Sequence, residues 1–133
     1  MATMHFELVA PERVFYSGAV AAVMLPGTEG DMTVLPGHAP VMTALKTGFV
    51  VVTDHKNEGH RMLVRGGFAD INATGLTILA ERALPAEDVT PESIDREILH
   101  VEVVREASSN QAVRDAADST IAALREARAA LQI

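Results

Sequence analysis

Cysteine and tryptophan are absent from this chain of 133 residues. Without cysteine there is no disulfide framework and no thiolate metal site, a usage that fits a reducing compartment. Aromatic residues are scarce: Phe6, Phe15, Tyr16, Phe49 and Phe68 are all of them. All five lie within the first 68 residues, which places the main core in that part of the chain. Long apolar runs are missing too. The longest, Ala19 to Leu25, falls far short of the about 20 residues needed to cross a bilayer, so membrane association is expected to go through another protein. The opening Met-Ala-Thr-Met-His-Phe-Glu has neither the basic nor the apolar region of a secretory signal. Positive charge is in deficit, with 11 Lys and Arg against 18 Asp and Glu and a formal net charge of −7. An acidic chain with no basic stripe argues against nucleic acid or anionic lipid as the main partner.

What the chain does have is a hydrophobic fraction of 48% against 22% charged residues, enough to build a globular core. Its character changes near Pro85. Before that point, short apolar stretches alternate with turn signals. Phe6 and Leu8 alternate with polar neighbours, Val14 to Tyr16 is followed by Ala19 to Leu25, and Met32 to Leu35 sits between two Pro-Gly segments. Val41 to Leu45, Phe49 to Thr53, Arg61 to Arg65, Phe68 to Asn72 and Leu76 to Glu81 complete the set. The Phe49–Thr53 stretch is β-branched enough to be buried on both faces, and Asp54 to Gly59 reads as a solvated hairpin loop. Short strands with turns every 8–12 residues predict an antiparallel β-sandwich or barrel over 1–84.

Glycine vanishes after Gly75, and beyond Pro85 alanine, glutamate and arginine take over. Thr90 is a plausible N-cap with Pro91 at the first helical position, and Ile94, Ile98 and Val101 follow helical spacing. Ser108 to Gln111 breaks the helix and offers a capping box, Ser108 with Gln111. Val113, Ala117, Ile121, Leu124 and Leu131 then fall on one side of a second helix. Residues 85–133 are therefore expected to form an antiparallel helical hairpin with a thin apolar face. The predicted class is α+β.

Chemistry finds little footing. His55 and His60 flank one predicted loop, but no third metal ligand is evident beside them. His5 and His100 fall on polar faces, and His38 reads as a turn histidine bonded to loop backbone. There is no Gly-x-Ser-x-Gly elbow. Asp70 and Glu81, a conceivable carboxylate pair, are expected to face water. Gly27-Thr28-Glu29-Gly30-Asp31 places two acids where a phosphate loop needs backbone N–H groups and a lysine. Neither a catalytic site, nor a cofactor, nor a metal centre is expected. The two Pro-Gly loops stand out: one holds Glu29 and Asp31, the other His38. Loops at the end of a sandwich commonly carry interaction residues. The residues by themselves lead to an interaction module with a helical appendage, and leave open a small independent β-sandwich enzyme or sugar-binding module with a helical tail.

The same stretches carry a family resemblance. Pro26-Gly27-Thr28-Glu29-Gly30, Leu35-Pro36-Gly37-His38-Ala39-Pro40 and Leu45-Lys46-Thr47-Gly48 resemble the hallmark of epsilon subunits of F-type ATP synthases. Gly66-Gly67-Phe68 followed by Leu76 to Glu81 is similar to the family's second hallmark, and the likeness runs from residue 4 to about 84. It implies a non-catalytic central-stalk subunit with a β-sandwich of about ten strands that binds the gamma subunit along one flank and seats one end on the c-subunit ring. Glu29, Gly30 and Asp31 would face the ring. His38, Ala39 and Pro40 would form a turn near the same end, close to gamma and the ring. The resemblance further implies a peripheral place on the cytoplasmic face of the inner membrane. The hairpin would be a possible regulatory arm reaching the alpha and beta catalytic subunits. Two departures bear on that arm. In inhibitory relatives the last helix is basic, whereas here Arg114, Arg125 and Arg128 are balanced by Asp115, Asp118 and Glu126. The family's ATP motif is matched only by Ile94 and Asp95, because Ile98-Leu99 stand where Arg-Ala is required. Tight ATP binding is not expected.

Overall fold

A period of two in burial shapes the first part of the chain. In strand β1 (Met4–Ala10), Met4, Phe6, Leu8 and Ala10 are buried while His5, Glu7 and Val9 lie between them, exposed or half-buried. The computed structural model describes residues 2–131. Eight more strands follow among these residues: β2 (Arg13–Gly27), β3 (Gly30–Val34), β4 (Val41–Leu45), β5 (Gly48–Asp54), β6 (Gly59–Val64), β7 (Gly67–Asn72), β8 (Gly75–Ala80) and β9 (Ala83–Leu84). The chain divides into two compact units, Met1–Ala86 and Glu87–Ile133.

The strands run β1-β8-β7-β4-β2-β5-β6-β9, with β3 also on β2 and β1 also on β2. All pairings are antiparallel except β1 with β8. The architecture is the expected antiparallel sandwich, with nine strands instead of about ten. The figure of about ten belongs to the family resemblance. The stretches read from the residues number nine, of which Val14–Tyr16 and Ala19–Leu25 form one strand of 15 residues, while the two-residue β9 is not among them. The first half of β2 pairs with β1 and its second half with β5 and β3, so one strand serves both layers. Phe6, Leu8, Val23, Leu25, Val52 and Ile78 are fully buried between the layers. In β5 only Val50 and Val52 are fully buried, and Phe49, Val51 and Thr53 are half covered. Its β-branched run is therefore one-sided, a correction to the two-faced burial expected from composition.

Unit two holds helices α1 (Pro91–Ala107) and α2 (Gln111–Ala130). Thr90 caps α1 as expected. The Ser93 amide donates to Thr90 Oγ1 at 3.1 Å and the Thr90 amide donates to Ser93 Oγ at 2.8 Å. The cap of α2 is Asn110 and not Ser108: Asn110 Oδ1 accepts from the amides of Ala112 and Val113 at 2.9 and 3.2 Å. A two-residue shift suffices because an asparagine oxygen reaches the same orphan N–H groups a serine would. Ile94, Ile98 and Val101 are buried on α1, and Ala117, Ile121, Leu124 and Ala127 on α2. Val113, expected on the apolar side, is 40% exposed.

Candidate interaction surface

Glu29, Gly30 and Asp31 lie at the tip of the β2–β3 hairpin. Gly27 pairs with Gly30, leaving Thr28 and Glu29 as the turn. Gly30 has φ of 129°, a conformation that favours glycine, so the tip shape is fixed by its sequence. The tip is also tied sideways. The Thr28 amide donates to the Ala44 carbonyl at 3.0 Å and the Lys46 amide to the Pro26 carbonyl at 2.9 Å. These bonds join the first hallmark stretch to Leu45-Lys46-Thr47-Gly48. Glu29 and Asp31 are exposed, so a braced backbone presents two carboxylates to solvent.

His38 lies in a turn closed by its own amide, which donates to the Leu35 carbonyl at 3.1 Å, and its Nδ1 donates to the Ala39 carbonyl at 2.7 Å. This is the backbone-bonded turn histidine read from the sequence. However, the His38-Ala39-Pro40 turn follows β3 while the Glu29 tip precedes it. Five extended residues separate them, about 16 Å along the strand. The two loops therefore sit at opposite ends of β3, not gathered at one end. What the His38 turn adjoins is the start of β4, where Val41 and Met42 are exposed.

The feature that sequence reasoning missed is a row of apolar side chains on the outer face of one layer. Strand register aligns Val14, Val9, Leu79, Phe68 and Ala44 across β2, β1, β8, β7 and β4. Phe68 is 54% exposed, Leu79 57% and Val14 55%, and Met42, two residues from Ala44 on the same face, is 67% exposed. Glu7, Thr77 and Asp70 form the next row, opposite Met42. Single exposed hydrophobes are ordinary, but a contiguous strip edged by charge marks a docking surface. The signal was present in β7 and β8, whose alternation places apolar residues on both faces, and only register could show that those residues line up.

The remaining candidates resolve into structural roles. His60 Nε2 donates to Asp54 Oδ2 at 2.8 Å, and Asp54 Oδ1 accepts from the amides of Lys56 and Glu58 at 2.8 and 2.9 Å. Those bonds, the one from His60 first, hold the Asp54 carboxyl down at about 2 from an ordinary 3.8. The loop is thus pinned by Asp54, which is itself buried, and is not simply solvated. His60 joins this set and the exposed His55 does not. Glu58 completes three donor atoms within 4.8 Å of one another, a third ligand the sequence did not reveal, although every oxygen of Asp54 already accepts a bond. Asp70 and Glu81 are exposed, as expected. Asp95 of the partial ATP motif is engaged by Arg128 at 2.7 Å. Ile98 is buried and Leu99 faces out.

A braced, acidic hairpin tip and an apolar strip on one sheet face are the surfaces of a protein that works by docking. The family model for the ATP synthase delta/epsilon chain β-sandwich domain matches residues 3–86, and the chain belongs to that family. It is 46% identical to the ATP synthase epsilon chain of Parvibaculum lavamentivorans over 71% of this chain and 72% of that one. With the epsilon chain of Maricaulis maris the identity is 40% over 90% and 89%. Among solved structures, a chain of the Euglena gracilis mitochondrial ATP synthase (OSCP/F1/c-ring, rotational state 1) matches with a TM-score of 0.77 and 25% identity, covering 99% of this chain and 83% of that one. A chain of the Tetrahymena thermophila ATP synthase central stalk and c-ring shares the fold, with a TM-score of 0.64 and 13% identity over 96% and 97%. The function is that of an ATP synthase epsilon chain, a non-catalytic accessory subunit of the complex. These matches give no support to an independent enzyme or sugar-binding module. No helix among the described residues is long and apolar enough to cross a membrane.

Proposed function

We propose that unit one couples the gamma subunit to the c-subunit ring through two separate surfaces. The strip of Val14, Leu79, Phe68 and Met42, continued by the His38-Ala39-Pro40 turn, is the flank that receives gamma. The Glu29-Gly30-Asp31 tip faces the ring, whose polar loops present basic and amide groups that exposed carboxylates can pair with. The observation that carries this reading is the strip itself: more than half of each of these side chains lies open to water, and covering it is what a stalk helix would do. A joint that transmits torque needs little slack, and the cross-ties from Thr28 and Lys46 supply that stiffness. Such a subunit lies peripherally on the cytoplasmic face of the inner membrane. Unit two is the candidate regulatory arm toward the alpha and beta subunits. Its balanced α2 charges favour a coupler over a strong inhibitor.

The test is crosslinking in the assembled complex. Glu29→Cys or Asp31→Cys should join to cysteines in the ring loops, and Phe68→Cys to gamma. If the Phe68 position joins the ring and the Asp31 position gamma, the assignment of surfaces is wrong.

A further inference from the structure

Each helix of unit two carries an aspartate followed ten residues later by an arginine: Asp95 and Arg105 on α1, Asp118 and Arg128 on α2. Antiparallel packing sets the acid of each against the base of the other. Arg128 grips Asp95 through two bonds, Nε to Oδ1 at 2.7 Å and Nη2 to Oδ2 at 3.3 Å. Arg105 Nε donates to Asp118 Oδ1 at 2.6 Å. One pair closes the open end of the hairpin and the other lies beside the Ser108–Asn110 turn, with the apolar seam between them. Arg105 also holds its neighbour Glu106 at 2.8 Å, and both carboxylates push its ionisation upward, Asp118 most.

The seam alone specifies its own alignment poorly. On α2 only two large side chains, Ile121 and Leu124, are buried in it, beside the small Ala117 and Ala127, so few large contacts hold the alignment against a slip of one turn. Charges at fixed intervals set register where apolar residues do not. A slip of four residues, about 6 Å, would break both pairs together. We infer that the matched Asp–Arg pairs are an electrostatic latch that sets the register of the hairpin and holds it closed. Opening leaves an aspartate and an arginine about 15 Å apart on each helix, so a competing helix must offer the complementary charges at the same interval. Both pairs lie at the surface, which makes the latch weak enough to release and sensitive to salt.

The absence of cysteine makes the test clean. Nitroxides at Glu92→Cys and Ala130→Cys in the full chain report the open end by pulsed electron resonance. The native protein should give one short distance. Charge reversal by Asp95→Arg or by Arg128→Asp should enlarge a long-distance population about two- to fivefold, the range expected for one exposed pair. The double swap Asp95→Arg with Arg128→Asp should restore the native distribution. Rescue separates a latch from a change in helix propensity, and Arg105→Asp with Asp118→Arg repeats it at the turn. One molar salt should enlarge the long-distance population of the native chain by a similar factor and leave the doubly neutral Asp95→Asn, Arg128→Gln unaffected at that end. Distances unchanged by single reversal, or a swap that fails to rescue, overturn the inference. The measurement uses the isolated chain, so it stands or falls separately from the docking assignments.

Discussion

Replacing Phe68 by alanine should weaken gamma binding without unfolding the sandwich. The side chain is 54% exposed in the free chain. An aromatic ring buries about 150–250 Å² when fully covered, so docking would remove roughly 100 Å² more from water. At about 25 cal/mol per Å² this is about 2.5 kcal/mol. Alanine keeps a little of that contact, leaving an expected loss of about 2 kcal/mol, or about 30-fold in Kd. Inside the free chain Phe68 gives up the contacts of its covered half, among them those with the cross-strand neighbours Leu79 and Ala44, at up to about 2 kcal/mol by the same bookkeeping. Urea unfolding should therefore show a modest loss that leaves the sandwich folded, while calorimetric titration with gamma shows the drop in affinity. A folded variant that binds gamma within about threefold of the native Kd refutes the docking surface.

Other outcomes follow from single features. Gly67 has φ of 128°, and a Cβ there would run into the Leu79 carbonyl. Gly67→Ala should cost about 1–3 kcal/mol, read from denaturant midpoints. The Asp54 carboxyl sits at about 2 in the folded chain against an ordinary 3.8, so its contribution is present above about pH 4 and is lost as pH falls through about 2. The melting temperature should therefore fall less steeply between pH 4 and pH 2 in His60→Ala or Asp54→Asn than in the native chain. A fragment ending at Leu84 should give a dispersed NMR spectrum and still bind gamma. If the hairpin regulates, its removal should raise ATP hydrolysis by the reconstituted head. Calorimetry with ATP should find no micromolar site, because the partial motif lacks its arginine and Asp95 is held by Arg128. Micromolar binding would contradict that.

The sequence by itself determined the element types and the change of character near Pro85. Alternating buried residues such as Phe6 and Leu8, and the capped start at Thr90-Pro91, are local patterns that need no tertiary partner to be read. The hallmark loops were legible for a similar reason, since glycine and proline leave few backbone conformations to choose from. Everything that depended on which strand lies beside which was hidden. Only pairing shows that β2 crosses both layers, that β3 holds the Glu29 and His38 turns apart, and that Phe68 and Leu79 fall in one row. Asp54 looked solvated because its partners reach it from across a turn. The four charges of the hairpin looked like a neutral surface until antiparallel packing set each acid against a base. Hydrogen-bond register and helix alignment are properties of residues distant in the chain, so they emerge only once the whole of each unit is assembled.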